Sequence, residues 1–526
     1  MNLLDYTLVV LYLALMLWLG MRFKKSEKGT DYFLGGRQFG WFSLCMSAMA
    51  TQLSAISFIS APAFVGLRPG GGMQWLTFEL GVPLAMIAIM VSLGPVLHRS
   101  GVVSIYEFLE RRFGSGSRML VSGIFVLSRS FGTGVGIFTI GLVLSSIVGV
   151  PFWQTMLVLG GVTIIYSLEG GMKAIVYSEV AQMIIKVMGI FAIMIAALHY
   201  LGGWGEFVAH VDRNRLVAID FSKTGFDGSE FGFWPMLLGG IFLYASYYGT
   251  DQTQAQRILS ARDPKTVRQL LLFNGLFRFP ITLSYCLGGL ILGTFALTNA
   301  EFGAKVLHGK PDLMIPIFIT DYLPHGVIGL LVVALIAAWM SSYSSTLNSL
   351  TAVTMEDFIS PRINIPKEKY VRVSKLIALG WGVITMISGF FAGKVAVTAI
   401  EAINKIGSVF YGPILAMFLL ASLGRWVRPA AVNIGVVAGV AVNLVLWLFF
   451  KNVFWFWWNA IGCVVTLLVG MGLSRLMAPV PAAAVFAAEA APGSASAGVV
   501  PWKEVGVLLA WFVVIVSFCI LLPRLI

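Results

Sequence analysis

Apolar runs long enough to cross a bilayer recur along the whole chain, near residues 4–22, 40–66, 74–98, 117–147, 151–168, 174–201, 231–257, 268–297, 323–357, 370–393, 395–424, 427–450, 453–478 and 500–523. A helix rises about 1.5 Å per residue, so roughly twenty such residues span the hydrocarbon core. The pattern predicts an all-α polytopic membrane protein with about fourteen transmembrane helices.

Three of these segments carry polar residues that a lipid-facing helix does not need. The first, Ile336 to Met355, reads IAAWMSSYSSTLNSLTAVTM. At about 100° of turn per residue, Ala338, Ser341, Ser342, Ser345 and Ser349 share one face, with Ser344 and Asn348 beside it. Hydroxyls are neutral oxygen donors, and several on one face can help replace the water shell of a small cation. A small-residue seam between packed helices reads the same way, so the serines alone leave both open. The second is CMSAMATQLSAISFISAPAFVG, interrupted by Thr51, Gln52, Ser54 and Ser57 and ending near Pro62. The third comes five segments later, where Tyr244, Ser246, Tyr247, Tyr248, Gly249, Thr250, Asp251 and Gln252 interrupt another span. Polar, glycine-bearing interruptions in corresponding members of two halves predict broken helices around a midplane site. An odd repeat length puts the two copies in opposite membrane orientations, which predicts inverted repeats at about 40–201 and 231–424. Residues 1–39 then form an extra helix and a cytoplasmic loop, 202–230 an extracellular loop, and 425–526 accessory helices with an Ala/Pro-rich linker near 478–500.

Composition agrees: 58% of the residues are hydrophobic and 11% charged, with a mean hydropathy of +0.87. The formal charge of +12 does not point to nucleic acid, because Lys and Arg crowd into alternate loops. These clusters are Arg22 to Arg37; Arg99, Arg111, Arg112 and Arg118; Arg257 to Arg268; and Arg362 to Lys375. Such spacing follows the positive-inside rule and puts the N-terminus outside. The first apolar run lacks a basic leader and a small-residue cleavage site, so it reads as a retained helix. Four cysteines, all within apolar segments and without metal or redox spacing, read as packing residues.

Ionisable residues within spans are costly and mark partners or function. They are Arg129, Glu179, Lys186, Asp251, Arg278, Glu401 and Lys405. Glu179 and Lys186 lie two helical turns apart and can share a face. Lys186 and Lys405 read best as halves of structural ion pairs or as snorkelling side chains.

In order along the chain, DYFLGGR at 31–37, YEFLERRFG at 106–114, EGGMKAIVYSEVAQ at 169–182, GTDQTQAQRILSARD at 249–263, MSSYSSTLNSLTAVTMEDF at 340–358 and INKIGSVFYGPILAMFLL at 403–420 resemble the sodium:solute symporter family. That family includes the sodium-coupled glucose, sialic acid, proline and iodide transporters. The resemblance covers about residues 30–425 and implies the inverted five-helix-repeat fold of the leucine-transporter type. It also implies a main Na+ site built from the carbonyls of Ala50, Leu53 and Ala338 and the hydroxyls of Ser341 and Ser342. Some members carry a second Na+ site, which maps here to Ser341, Ser344 and Ser345, with Glu179 where those members have an aspartate. The solute-contact positions map to Gln52, Ser54, Ser57, Gln74, Tyr244, Tyr247, Arg278, Ser345 and Asn404. Arg129 lies near a position where the sialic acid carrier has a carboxylate-binding arginine. Gln74 and Tyr244 depart from the sugar-carrier pattern.

The resemblance therefore implies Na+-coupled import of a small polar solute by alternating access, across a plasma (inner) membrane. A small organic anion such as sialic acid or another carboxylate is favoured over a sugar, polyol or amino acid, because a guanidinium offers a carboxylate a bidentate fork. Arg129 could equally pair with a carboxylate of the protein. An enzyme is disfavoured, since HExxH is absent and the five histidines are scattered. A channel is a distant alternative. The expected partners are Na+, the solute and the lipid bilayer, with no nucleic acid and no obligate protein partner.

Overall fold

The computed structural model describes residues 1–526 except 25–28, 308–310, 392–398, 424–425 and 478–499. The Ala/Pro-rich linker expected near 478–500 therefore lies almost wholly outside the described residues. Among the described residues, 11 helices are long and apolar enough to cross a membrane, or up to 12 if one bent pair counts as a span. Two further expected spans are present in other forms. The runs at 151–168 and 174–201 form one helix, Phe152–Leu201, interrupted at Gly171 with φ 53° and ψ −152°. That conformation needs a glycine. The run at 231–257 is Phe233–Gly249 followed by Gln252–Leu259.

The bent pair is Trp41–Gln52 and Ala55–Gly66, turned by 57° at Leu53 and Ser54. Leu53 has φ −75° and ψ 74°, outside the helical region, and the Ser54 amide turns back to the Gln52 carbonyl at 2.9 Å. Three carbonyls at the bend, those of Ala50, Thr51 and Leu53, accept hydrogen bonds from side chains of other helices. Backbone of this kind is tolerated at membrane depth only where protein or an aqueous cavity surrounds it. Here the bend is enclosed by Phe152–Leu201, by Pro264–Thr298 and by the serine-bearing helix Val327–Val353.

Small residues allow the close approach. A Cβ on Gly289 would lie 2.4 Å from the Pro62 carbonyl oxygen, and one on Gly66 would lie 2.3 Å from that of Gly289. Backbone seams of this type drive helix association in lipid, where apolar burial gives little.

The serine-bearing helix is anchored at both ends by buried carboxylates. Asp5, from the first helix, accepts from the amides of Gly326 at 2.7 Å and Gly329 at 2.9 Å. A carboxylate there satisfies orphan donors and complements the helix dipole. At the other end, Asp357 lies in the π-helical stretch Thr354–Ile359 and accepts from Arg118 Nε at 2.7 Å, Ser122 at 2.6 Å and Ser104 at 2.8 Å. Arg118, which the charge pattern assigns to a loop, is thus largely buried. All four cysteines are free and buried, as packing residues would be.

Gly289→Val should destabilise the fold by about 3 kcal/mol or more, because its Cβ meets backbone that cannot swing aside. Gly161→Ala should be neutral, since a Cβ there has no neighbour within 4 Å. Thermal unfolding in detergent, followed by size-exclusion chromatography, compares the two.

Candidate functional site

A cavity opens at the bend of the first broken helix. Its wall includes Thr51, Gln52, Ser54 and Ser57 from that helix, Trp75 and Phe78, Arg129 and Thr133, Tyr244 and Tyr247 from the second broken helix, Arg278, Ser342 and Thr346, and Asn404 and Tyr411. Most of the expected solute-contact positions therefore meet around one space: Gln52, Ser54, Ser57, Arg129, Tyr244, Tyr247, Arg278 and Asn404. Two expected positions do not line it. Gln74 donates to the Gly70 carbonyl, and Ser345 faces the interior, where it meets Glu179, Arg257 and Thr51. Sequence reasoning missed the aromatic wall of Trp75, Phe78, Trp339, Tyr343 and Tyr411. Aromatic residues in apolar spans give no signal that separates a cavity wall from ordinary core.

Charge within the site comes in pairs. Arg278 reaches Glu79 through Nε at 3.1 Å and Nη2 at 2.9 Å. Both side chains are buried, and Thr282 also donates to this carboxylate at 3.1 Å. Glu79 sits in the apolar run 74–98, and its acidic side chain there was the overlooked signal. Arg129 pairs with Asp251, so the protein-carboxylate reading of Arg129 holds while its side chain also lines the cavity. Its guanidinium lies over the Tyr247 ring at 5.5 Å. Asp251 also caps Gln252–Leu259 by accepting from the Thr253 amide at 2.8 Å. Tyr244 is stacked on Phe78 with its buried hydroxyl unpartnered.

Of the groups expected at the main Na+ site, the Ala50 and Leu53 carbonyls and the Ser341 hydroxyl converge. Lys186 occupies their focus: Nζ donates to Ala50 O at 2.6 Å, Leu53 O at 2.9 Å and Ser341 Oγ at 2.6 Å. Ser341 donates in turn to Ala50 O at 3.0 Å or Ala338 O at 3.2 Å, which leaves its lone pair for the lysine. Ser342 instead bridges helices by donating to the Thr51 carbonyl at 2.8 Å. Lys186 is thus neither a snorkelling side chain nor the salt-bridged partner of Glu179. A Na+ does not fit among these oxygens while the lysine is there, since Nζ already stands within 2.9 Å of all three.

The residues expected at a second Na+ site are divided. Glu179 and Ser345 meet, whereas Ser344 donates to the Ser341 carbonyl at 3.2 Å. Arg257 fills the position beside Glu179, with Nη2 at 2.8 Å and 3.1 Å from the two carboxylate oxygens and 2.9 Å from Thr51 Oγ1. Its Nε reaches Ser47 at 3.0 Å. Although counted among the loop charges, Arg257 is 1% exposed. Ser349 bonds Thr253 across the same seam at 2.9 Å, in a packing role. Lys405 lies 5.6 Å from the ring centres of both Trp447 and Trp458, and Glu401 pairs with Arg68 at 2.8 Å.

Residues 32–432 match the sequence profile of the sodium:solute symporter family. The chain is 28% identical over 454 residues to the sodium/iodide cotransporter of Homo sapiens, covering 84% of this chain and 68% of that protein. It is 28% identical over 448 residues to sodium-coupled monocarboxylate transporter 1 of Xenopus laevis, with 84% and 71% covered. Among solved structures, a substrate-bound, outward-open Na+-coupled sialic acid symporter superposes with a TM-score of 0.81 at 22% identity, covering 91% of this chain and 99% of that one. The nucleobase-cation-symport-1 transporter Mhp1, closed around bromovinylhydantoin, gives 0.55 at 15% identity, with 86% and 95% covered. These likenesses establish the leucine-transporter type of fold.

Removing one partner of the buried Glu179–Arg257 pair should cost about 3–5 kcal/mol, because the other charge stays buried and uncompensated. In a double-mutant cycle with Glu179→Gln and Arg257→Gln, the double variant should therefore be more stable than the sum of the singles. Thermal unfolding of the four proteins in detergent measures the coupling.

Proposed function

The chain belongs to the sodium:solute symporter family, and from that membership we propose that it imports a small monocarboxylate by alternating access. It is a multi-pass membrane transporter, and Na+ is the coupling ion of the family. The proposal places it in the plasma (inner) membrane with about fourteen spans, counting two for Phe152–Leu201 and one for each broken helix. The two five-helix repeats, 40–201 and 231–424, would move against each other around the cavity, with 425–526 as accessory helices.

One observation carries the choice of solute: two guanidinium groups, Arg129 and Arg278, line the cavity, and no carboxylate stands among its lining residues. Their partners Asp251 and Glu79 bond to them without joining that lining. A guanidinium has five N–H donors, so each arginine keeps some beyond those its carboxylate takes. The unpartnered Tyr244 hydroxyl adds a neutral donor. Such a surface favours an anion over a neutral sugar. The relatives named for iodide and for monocarboxylates agree with this choice, since both solutes are anions. The apolar wall of Trp75, Phe78 and Trp339 suits a short hydrocarbon chain beside the carboxylate.

The binding work falls to the residues at the two breaks. Gln52 is held by the Tyr248 hydroxyl, and Gln254 reaches the Ala48 carbonyl at 3.2 Å. These two bonds tie the broken helices to each other beside the cavity. Each positive charge carried inward gains about 2.3 kcal/mol per 100 mV, which a co-transported monoanion offsets.

In proteoliposomes, an inward Na+ gradient should drive saturable uptake of labelled lactate, with short monocarboxylates competing and neutral sugars not. Tyr244→Phe should raise the KM about fivefold, the loss of one hydrogen bond of about 1 kcal/mol. Competition by sugars alone would refute the carboxylate assignment.

A further inference from the structure

We propose that the main cation position of this transporter is filled by the chain's own cation, the Lys186 ammonium, and does not take a free Na+ while that lysine is in place. The inference deepens the symporter reading above and concerns where the coupling ion of that symporter binds. It rests on the match between what the position offers and what the lysine supplies. The bend offers two backbone carbonyls, Ala50 O and Leu53 O, and the facing helix offers one hydroxyl, Ser341 Oγ. All three are neutral oxygens, the donor set suited to one monovalent cation. An ammonium has three N–H donors and no acceptor, and each of the three oxygens receives one. The serine hydroxyl points its own hydrogen at a carbonyl, so its role toward Lys186 is that of acceptor, as it would be toward a metal ion.

The position is also closed sterically. Lys186 is 0% exposed, and Ala50, Leu53, Ala338 and Ser341 are likewise 0% exposed. A side chain tethered on Phe152–Leu201 thus joins the broken helix to the serine-bearing helix, the junction that a bound ion would otherwise make. The neighbouring position follows the same rule, because the Arg257 guanidinium lies against Glu179, Ser345 and Thr51. Other titratable groups around this junction are Tyr166, whose hydroxyl is 3.5 Å from the Met340 carbonyl, and Tyr12, which bonds Gln182 at 3.0 Å. Na+ used by the wild-type chain then binds outside the cluster of Ala50, Leu53 and Ser341.

The test is Na+ binding to the purified full-length protein in detergent, read as thermal stabilisation when NaCl replaces choline chloride at constant ionic strength. Lys186→Ala should gain a saturable Na+ response with a midpoint at least tenfold below that of the wild type, and adding Ser341→Ala should abolish the gain. Lys186→Ser serves the same comparison if the alanine variant does not fold. A Na+ midpoint within twofold of wild type in a folded lysine variant overturns the proposal. So does a tenfold loss of Na+ affinity on Ser341→Ala in the chain that keeps Lys186, because that hydroxyl belongs to the cluster from which Na+ is excluded. The measurement needs no solute, so a failure of lactate uptake and a failure of the tethered-cation assignment are told apart.

Discussion

Backbone carbonyls cannot be left bare at membrane depth, and the first broken helix exposes several at its bend. The hydrogen bonds that satisfy Ala50, Thr51 and Leu53 set the arrangement of everything around them. Lys186 must lie on a helix close enough to reach two of these carbonyls, and Ser341 and Ser342 must face the other two sides. An unsatisfied group there costs several kcal/mol, so the three helices are held in register by polar bonds where lipid provides no hydrophobic drive. The glycine seam at Gly66, Gly289 and Gly293 lets the second half of the broken helix approach its own neighbour just as closely.

Buried charge follows the same logic one layer out. Glu79 with Arg278, Glu179 with Arg257, Asp251 with Arg129 and Asp357 with Arg118 each neutralise a group that could not stand alone in a membrane interior. Each of these pairs joins different helices and so records which helices are neighbours. Two of the arginines also face the cavity. Their guanidinium groups bring N–H donors to the wall, while the carboxylates that fix them are not among its lining residues. Lys186 differs from these four pairs in being held by neutral oxygens.

Much of this was legible beforehand. Hydropathy located the spanning segments, because a helix in lipid must be apolar along nearly its whole length. The polar interruptions at 51–57 and 244–252 marked both breaks, and the serine run marked the helix that faces the first. Eight of the ten solute positions carried over from the motifs do line one cavity. Less legible were charges at the edges of apolar runs. Arg257 and Arg118 lie next to loop clusters in the sequence and read as part of them, yet each folds inward onto a carboxylate more than seventy residues away. Glu79 was hidden by its apolar neighbours, and the aromatic wall by the abundance of aromatics elsewhere.

By itself, then, the sequence determined that this protein is a helical membrane bundle with two interrupted spans and a serine-lined helix, because periodicity and hydropathy are local properties of the chain. Only the tertiary structure decided which groups meet at the interruption. A lysine two turns from Glu179 reads, along one helix, as that residue's ion-pair partner. In three dimensions the carboxylate belongs to Arg257, and the lysine reaches across to the carbonyls that the bend sets free. The physical reason is that partners in a membrane interior are chosen by distance and unmet hydrogen-bonding need between helices, and neither is written in the spacing along one of them.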